Sequence, residues 1–391
     1  MKYSLLMMAI CSALALSSAP AFAKKKVEVL NEKVSKQLIE DYSKHLFETY
    51  KVLKEKNVAL KEAIELFVKD PNPGSHFRAK EAWIEARMAY SPTEAFRFYG
   101  GPIDDAEKGP EGLMNAWPLD EGYIDYVQGN AEAGIINNPK LYPQITKELL
   151  ISMNEKDGER NISTGYHAIE FLLWGQDQSL SHAGGRTFED YVVKKAPNAE
   201  RRATYLKLLA ELLVEHTERV LAEWNPEGKG NYVEQFKKLP ASDSIQKILL
   251  GMATLSVDEM SGERMTVPFE KFDQENEQNC FSDTTHADLV ANQKGILSLY
   301  TGNYTGFKGV GVEQLIADKN PKLAEKISKH MNNTLKHLEK IEGPIDALIM
   351  EKKKSPAKKQ VFKTIDELQV QSTLLAKGAG LFGLDVNVAA E

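Results

Sequence analysis

The sequence predicts an all-α fold made of two helical halves. Apolar residues recur at three- and four-residue spacing through most of the chain, the period of a helix with one buried face. No stretch alternates with a two-residue period long enough to demand a sheet. Asn225-Pro226-Glu227-Gly228-Lys229-Gly230-Asn231 is the clearest breaker in mid-chain. It divides the protein into two comparable helical halves, expected at residues 24–225 and 226–391.

At the start, Lys2, an apolar run from Leu5 to Leu16, and Ala21-Phe22-Ala23 ahead of Lys24-Lys25-Lys26 have the layout of a cleaved secretory signal over residues 1–23. That run is shorter than the about 20 apolar residues needed to cross a bilayer. No second candidate follows, so no transmembrane segment is expected after signal removal. Cys11 lies inside the apolar run, and its loss would leave Cys280 as the one remaining cysteine. A single cysteine excludes an intramolecular disulfide and argues against a cysteine-rich structural zinc site, so stability must come from the core. With 391 residues, 42% of them hydrophobic, the chain can bury one large core or two ordinary ones. Lys plus Arg number 49 against 56 Asp plus Glu, a formal charge of −7. This acidic balance argues against nucleic-acid binding.

From Val27 to Val68 the apolar positions Val34, Leu38, Tyr42, Leu46, Leu53 and Leu60 predict one long helix, stopped by Asp70-Pro71-Asn72-Pro73-Gly74. Helical pattern resumes from Phe77 to Tyr90 and continues past Pro92. The Gly- and Pro-rich segment from Gly100 to Pro118 is too long for an ordinary connection and is a candidate binding loop. Further helices are expected at about 141–153, 163–174, 199–224, 243–260, 284–299, 321–341 and 356–378. The run from Lys352 to Lys359 is basic, and Lys352, Lys353 and Lys354 beside Ser355-Pro356 mark a solvated helix end.

The most informative stretch is Gly165-Tyr166-His167-Ala168-Ile169-Glu170-Phe171-Leu172-Leu173-Trp174-Gly175. His167 and Glu170 stand three residues apart and leave one helical face. Their neighbours are apolar, so that face is buried, and a buried Glu needs a cation, a proton or hydrogen bonds. His45-Leu46-Phe47-Glu48 has the same spacing without a leading glycine, and is expected to be a helix-surface pair.

The stretch has company. Upstream stand Ala86-Arg87-Met88-Ala89-Tyr90-Ser91-Pro92-Thr93-Glu94-Ala95-Phe96-Arg97-Phe98, Gly101-Pro102-Ile103-Asp104 and Asn115-Ala116-Trp117-Pro118-Leu119-Asp120-Glu121-Gly122-Tyr123-Ile124-Asp125-Tyr126. Downstream stand Gly262-Glu263-Arg264-Met265 and Cys280-Phe281-Ser282-Asp283-Thr284-Thr285-His286. In this order and at these separations the set resembles the imelysin family, whose hallmark is Gly-x-His-x-x-Glu, from about Val34 to about Gly383. The resemblance implies a bacterial envelope protein tied to iron uptake, built from two four-helix-bundle halves. It also carries an old label of metallopeptidase.

The resemblance extends to single residues. Tyr90-Ser91-Pro92-Thr93-Glu94 is similar to the Tyr-x-x-x-Glu segment of related periplasmic iron-uptake proteins, which implies Glu94 as a metal ligand beside His167 and Glu170. Leu119-Asp120-x-x-x-Ile124-Asp125 is similar to the aspartate-bearing segment that follows in those relatives, which implies Asp120, with Asp125 as the alternative and a helix cap as the role of the other. Pro92 implies a helix break that aims Glu94 into a cavity. Asp283 and His286 allow a second metal reading, while Ser282-Asp283-Thr284-Thr285-x-x-Asp288 also has the form of a capped helix start. Arg87, Arg97 and Arg264 are candidates for orienting carboxylates, for receiving an anionic ligand, or for buried salt bridges.

One His with several carboxylate oxygens suits iron, or another divalent cation such as zinc. A hydrolytic zinc site needs an open position and a general base. No His-Glu-x-x-His occurs, and Glu94 is the one candidate base. The sequence therefore reads as an exported protein of the periplasm or outer cell envelope that binds iron, as the ion or a chelate, and works with other envelope iron-uptake proteins. The alternatives are a zinc-type metallopeptidase and a non-catalytic envelope interaction protein.

Overall fold

The computed structural model describes residues 27–352, 354–386 and 388. The expected signal segment, 1–23, lies outside the described residues. Eight long helices carry the architecture: α1 (Glu32–Lys69), α2 (Pro73–Tyr90), α3 (Gly165–Trp174), α4 (Ala199–Trp224), α5 (Ala241–Thr254), α6 (Thr285–Thr301), α7 (Pro321–Leu338) and α8 (Pro356–Gly380). In the first half α1 packs on α2 and α4, and α3 packs on the same two helices. In the second, α8 packs on α5 and α7, and α6 packs on α7. The protein is all-α, with two helical-bundle halves.

Local chemistry accounts for the helix starts. Asn72-Pro73, Asn320-Pro321 and Ser355-Pro356 open α2, α7 and α8, each with a side-chain cap followed by a proline whose missing N–H would have had no partner. Asn31 caps α1 by accepting from the Val34 amide at 3.3 Å, and α1 then runs without a break to Lys69. Its buried residues include Leu38, Tyr42, Leu46, Leu53, Leu60, Ile64 and Phe67, the stripe predicted from spacing. The 141–153 helix is shorter than expected, Lys147–Met153, because Thr146 supplies its cap beyond Pro143. The only strands among the described residues are Asn303–Tyr304 and Phe307–Lys308, a minimal hairpin.

Two features lie beyond what the sequence predicts. Beyond Thr254, α5 continues without interruption as a π-helix, Leu255–Thr266, and ends in a short α-turn, Val267–Lys271. Lys358, near the far end of the basic run, is buried, its Nζ donating to the Ile349 and Glu351 carbonyls at 2.7 and 3.0 Å. Those carbonyls end the preceding short helix, so the charge serves as its C-terminal cap.

One hydrophobic cluster runs through both halves, from Leu38 and Trp83 to Leu368 and Leu375. The halves meet most closely where α2 gives way, at Ser91, to a 3-10 turn, Ser91–Phe96, that packs on α5 and α6. Gly295 of α6 makes this possible. A Cβ there would lie 2.5 Å from the Pro92 carbonyl oxygen, so any larger residue would push the halves apart. No helix among the described residues is long and apolar enough to cross a membrane.

Candidate metal centre

The leading glycine of the His-x-x-Glu helix has a specific role. Gly165 sits at φ +89°, and a Cβ there would lie 2.6 Å from the Met114 carbonyl oxygen. Glycine therefore lets the start of α3 abut the 100–118 loop. All ten residues of α3 are buried, which places His167 and Glu170 in the interior.

His167 Nδ1 and Glu170 Oε2 are 3.1 Å apart. The other oxygen, Oε1, accepts from the backbone amide and the hydroxyl of Ser282, at 2.9 and 2.6 Å. His167 Nε2 is buried and has no hydrogen-bond partner among the described residues. Burial pushes the Glu170 carboxyl up to about 8, against the pull of Ser282 and Arg87. Burial, and then the charge of Arg87, holds the His167 imidazole well below its ordinary range. At neutral pH the pair is thus a neutral imidazole beside a protonated acid, and the imidazole is in the form that binds metals.

Glu94 is delivered to the same region by the 3-10 turn, and is fully buried. Arg264, on the π-helix, donates to Oε1 at 2.7 Å and to Oε2 at 2.9 Å. Asn292 of α6 donates to Oε2 at 2.7 Å, and Asn115 and Arg97 donate to Oε1 at 3.1 and 3.3 Å. Burial alone would raise this carboxyl, but the charge and hydrogen bonds of Arg264, with Arg87 and Arg97, hold it down at about 2. Both its oxygens accept hydrogen bonds in this arrangement, which holds Glu94 as a buried anion among arginines and amides.

The Arg87 guanidinium lies against the rings of Tyr90 and Tyr166, at 5.2 and 5.4 Å from their centres. Its Nε donates to Asp288 at 2.6 Å and its Nη1 to Asn115. Asp288 also accepts from the Ser91 hydroxyl at 2.9 Å. The capped-start reading of 282–288 is therefore wrong: α6 begins without a side-chain cap, and its acid neutralises Arg87 instead. Asn115 and Glu111 come from the 100–118 loop, with Glu111 meeting Arg97 at 3.0 Å, so this loop does close over the cluster. Arg87 Nη2, Arg97 Nε and Arg264 Nε remain buried without a partner among the described residues.

The remaining candidates are dispersed. Asp120 is exposed and caps the short helix Glu121–Ile124, accepting from the Gly122 amide at 3.0 Å. It is not brought to buried His167. Asp125 is buried between Arg186, at 2.6 Å, and Arg202, at 2.7 and 2.9 Å. Burial opposes its ionisation, but the two guanidinium groups hold it at about 2. His286 Nε2 meets the Leu338 carbonyl at 2.8 Å and serves packing. Asp283, at φ +58°, groups with Asp177 and Asp346. His45 is not the surface half of a helix pair: it is buried, stacked on Tyr304 at 4.7 Å, and within 3.2 Å of Thr49 and Ser298.

Sequence reasoning missed Asn292, Glu259, Asp177 and Asp346. Asn292 did carry a signal, an amide on the apolar face of α6 between Leu289 and Ile296. The others look like ordinary surface acids until the chain is folded.

Comparisons place this geometry. The imelysin family model matches residues 46–375. Iron-regulated protein A of Synechococcus elongatus is 22% identical over 296 residues, which is 73% of this chain and 70% of that protein. Among solved structures, one described as an iron-regulated protein A precursor from Parabacteroides distasonis aligns with a TM-score of 0.69 at 17% identity, covering 91% of this chain and 96% of that one. An imelysin-like protein from Psychrobacter arcticum aligns with a TM-score of 0.67 at 11% identity, covering 93% and 100%. At these identities the structures speak to the fold.

Proposed function

The chain belongs to the imelysin family, and from that premise we propose that it binds iron, as an ion or an anionic chelate, at His167 and Glu170 and serves iron acquisition at the cell envelope. The observation that carries this reading is the buried, partnerless Nε2 of His167. The Nε2 position of a neutral imidazole aimed at no protein group is a ligand position once its proton is released, and Glu170, 3.1 Å from Nδ1 on the other side of the ring, then accepts the ring's remaining proton and orients it. One imidazole donor leaves most of an iron coordination sphere to other oxygens. The unpaired N–H groups of Arg87, Arg97 and Arg264 are suited to receive those oxygens when they belong to an anionic chelate.

Iron is cargo in this reading. Export to the periplasm or outer envelope rests on the signal-like layout of residues 1–23, and the division of the mature chain at 225/226 rests on the Asn225–Asn231 breaker. The metallopeptidase reading loses its candidate base, since Glu94 at about 2 and bound by two arginines is too weak an acceptor of a water proton. The test is calorimetric titration of the chelator-stripped protein with ferrous iron, ferric iron and a ferric tricarboxylate chelate. Stoichiometric binding of one of them, lost in His167→Ala, supports the reading. Absence of binding by all three, or chelator-sensitive proteolysis restored by zinc, overturns it.

A further inference from the structure

A second set of acids lies beside the His167–Glu170 pair. Asp177 follows the C-terminus of α3, Asp283 is the residue after Ser282, and Asp346 opens the short helix Ile345–Met350 of the second half. One carboxylate oxygen from each lies within 4.8 Å of the other two. Oxygens bound at about 2.4 Å around one calcium ion are separated by at most about 4.8 Å. Among the described residues no other trio of His, Cys, Asp or Glu donors comes this close.

Proximity alone would leave an acidic patch. Three buried atoms make it more: Asp177 Oδ2, Asp283 Oδ1 and Asp346 Oδ2 have no hydrogen-bond partner among the described residues. Asp346 is fully buried and Asp177 is 6% exposed. In each of these two the second oxygen is already fixed by backbone, Asp177 Oδ1 accepting from the Ser179 amide at 2.9 Å and Asp346 Oδ1 from the Ala347 amide at 2.7 Å. Those bonds orient the carboxylates and leave one oxygen of each free. No lysine or arginine among the described residues pairs with the trio, and the nearby His182 is exposed. Burial, then Asp346 and Asp177, push the Asp283 carboxyl up to about 7. Buried, unpaired carboxylates held together in this way call for a cation.

We propose that Asp177, Asp283 and Asp346 form a site for a hard divalent cation of the calcium class, separate from the iron site. All the donors are carboxylate oxygens, which suits calcium better than softer metals. Water completes the sphere, since a cavity of about 650 Å³ lined in part by Gln176, Asp177, Ser179 and His182 opens beside Asp177. The ion ties the end of α3, in the first half, to the Ser282 turn and the short helix Ile345–Met350 of the second. Because Ser282 holds Glu170, the bound ion also steadies the iron-binding pair.

The test uses the full chain stripped with a chelator, then titrated with calcium chloride while thermal unfolding and binding heat are followed. Calcium raises the melting temperature saturably. Asp283→Asn and Asp346→Asn each weaken the apparent calcium affinity at least about tenfold, and their stripped forms melt at or above stripped wild type because one repelling charge is gone. His167→Ala retains the calcium response. Absence of a calcium shift and heat in wild type, full affinity in both Asp variants, or loss of the response in His167→Ala would overturn the assignment.

Discussion

Arg264 meets both carboxylate oxygens of Glu94, at 2.7 and 2.9 Å, and so joins the π-helix of the second half to the 3-10 turn of the first. Both side chains are fully buried, which makes the pair unforgiving of change in one member. Glu94→Gln is expected to cost about 3 kcal/mol, the lower end for a broken buried pair, because Glu259 also meets Arg264 at 2.8 Å and compensates part of its charge. Urea unfolding measures this. Since the oxygens of Glu94 are committed, iron affinity of the folded variant should stay within a few-fold of wild type.

The iron site gives the opposite pattern. His167→Ala and Glu170→Gln are expected to weaken iron binding by at least roughly 10–100-fold, the typical effect of altering even the supports of metal ligands. Helix content by circular dichroism should be unchanged, because neither residue caps α3. Unchanged affinity in both variants would place the cation elsewhere.

The same pair predicts a pH dependence. The Glu170 carboxyl is raised to about 8, so below that pH a cation must displace its proton. Apparent iron affinity should therefore climb up to tenfold per pH unit towards about 8 and level off above it. Proton release measured at pH 7 in buffers of different ionisation enthalpy should approach one per cation bound at this pair. Glu170→Gln should abolish that release.

Asp125 governs acid stability. Its folded pKa, about 2, lies below the ordinary carboxylate value of about 3.9 because Arg186 and Arg202 outweigh burial. A depressed acid contributes stability that is full above its unfolded pKa and lost as pH falls towards the folded one. Between pH 5 and 2 the wild type should lose about 2–3 kcal/mol through this group. Asp125→Asn should be less stable at pH 7 and show a flatter acid limb in denaturant midpoints.

The contrast between His45 and His167 marks where sequence ends. Both sit three residues before a glutamate on a helix, and both rings are buried. Around His167 the local sequence announces burial, since apart from Glu170 every residue from Ala168 to Trp174 is apolar. His45 is buried only because α6 and the hairpin of the second half bring Ser298 and Tyr304 against it. Nothing within one helical turn of His45 encodes that.

By itself the sequence determined most of the helices, the break at Pro92 and the burial of α3. These follow from period, proline and cap chemistry, which act within a few residues. Only the tertiary structure decided which acids stay free. Glu94 is silenced by an arginine 170 positions away, Arg87 by an aspartate 201 positions away, and Asp120 is left at the surface as a cap. Asp177, Asp283 and Asp346 converge from three segments, and no lysine or arginine among the described residues pairs with them. A carboxylate's role depends on the partners packed against it in a medium of low dielectric, and those partners are chosen by the fold rather than by spacing along the chain.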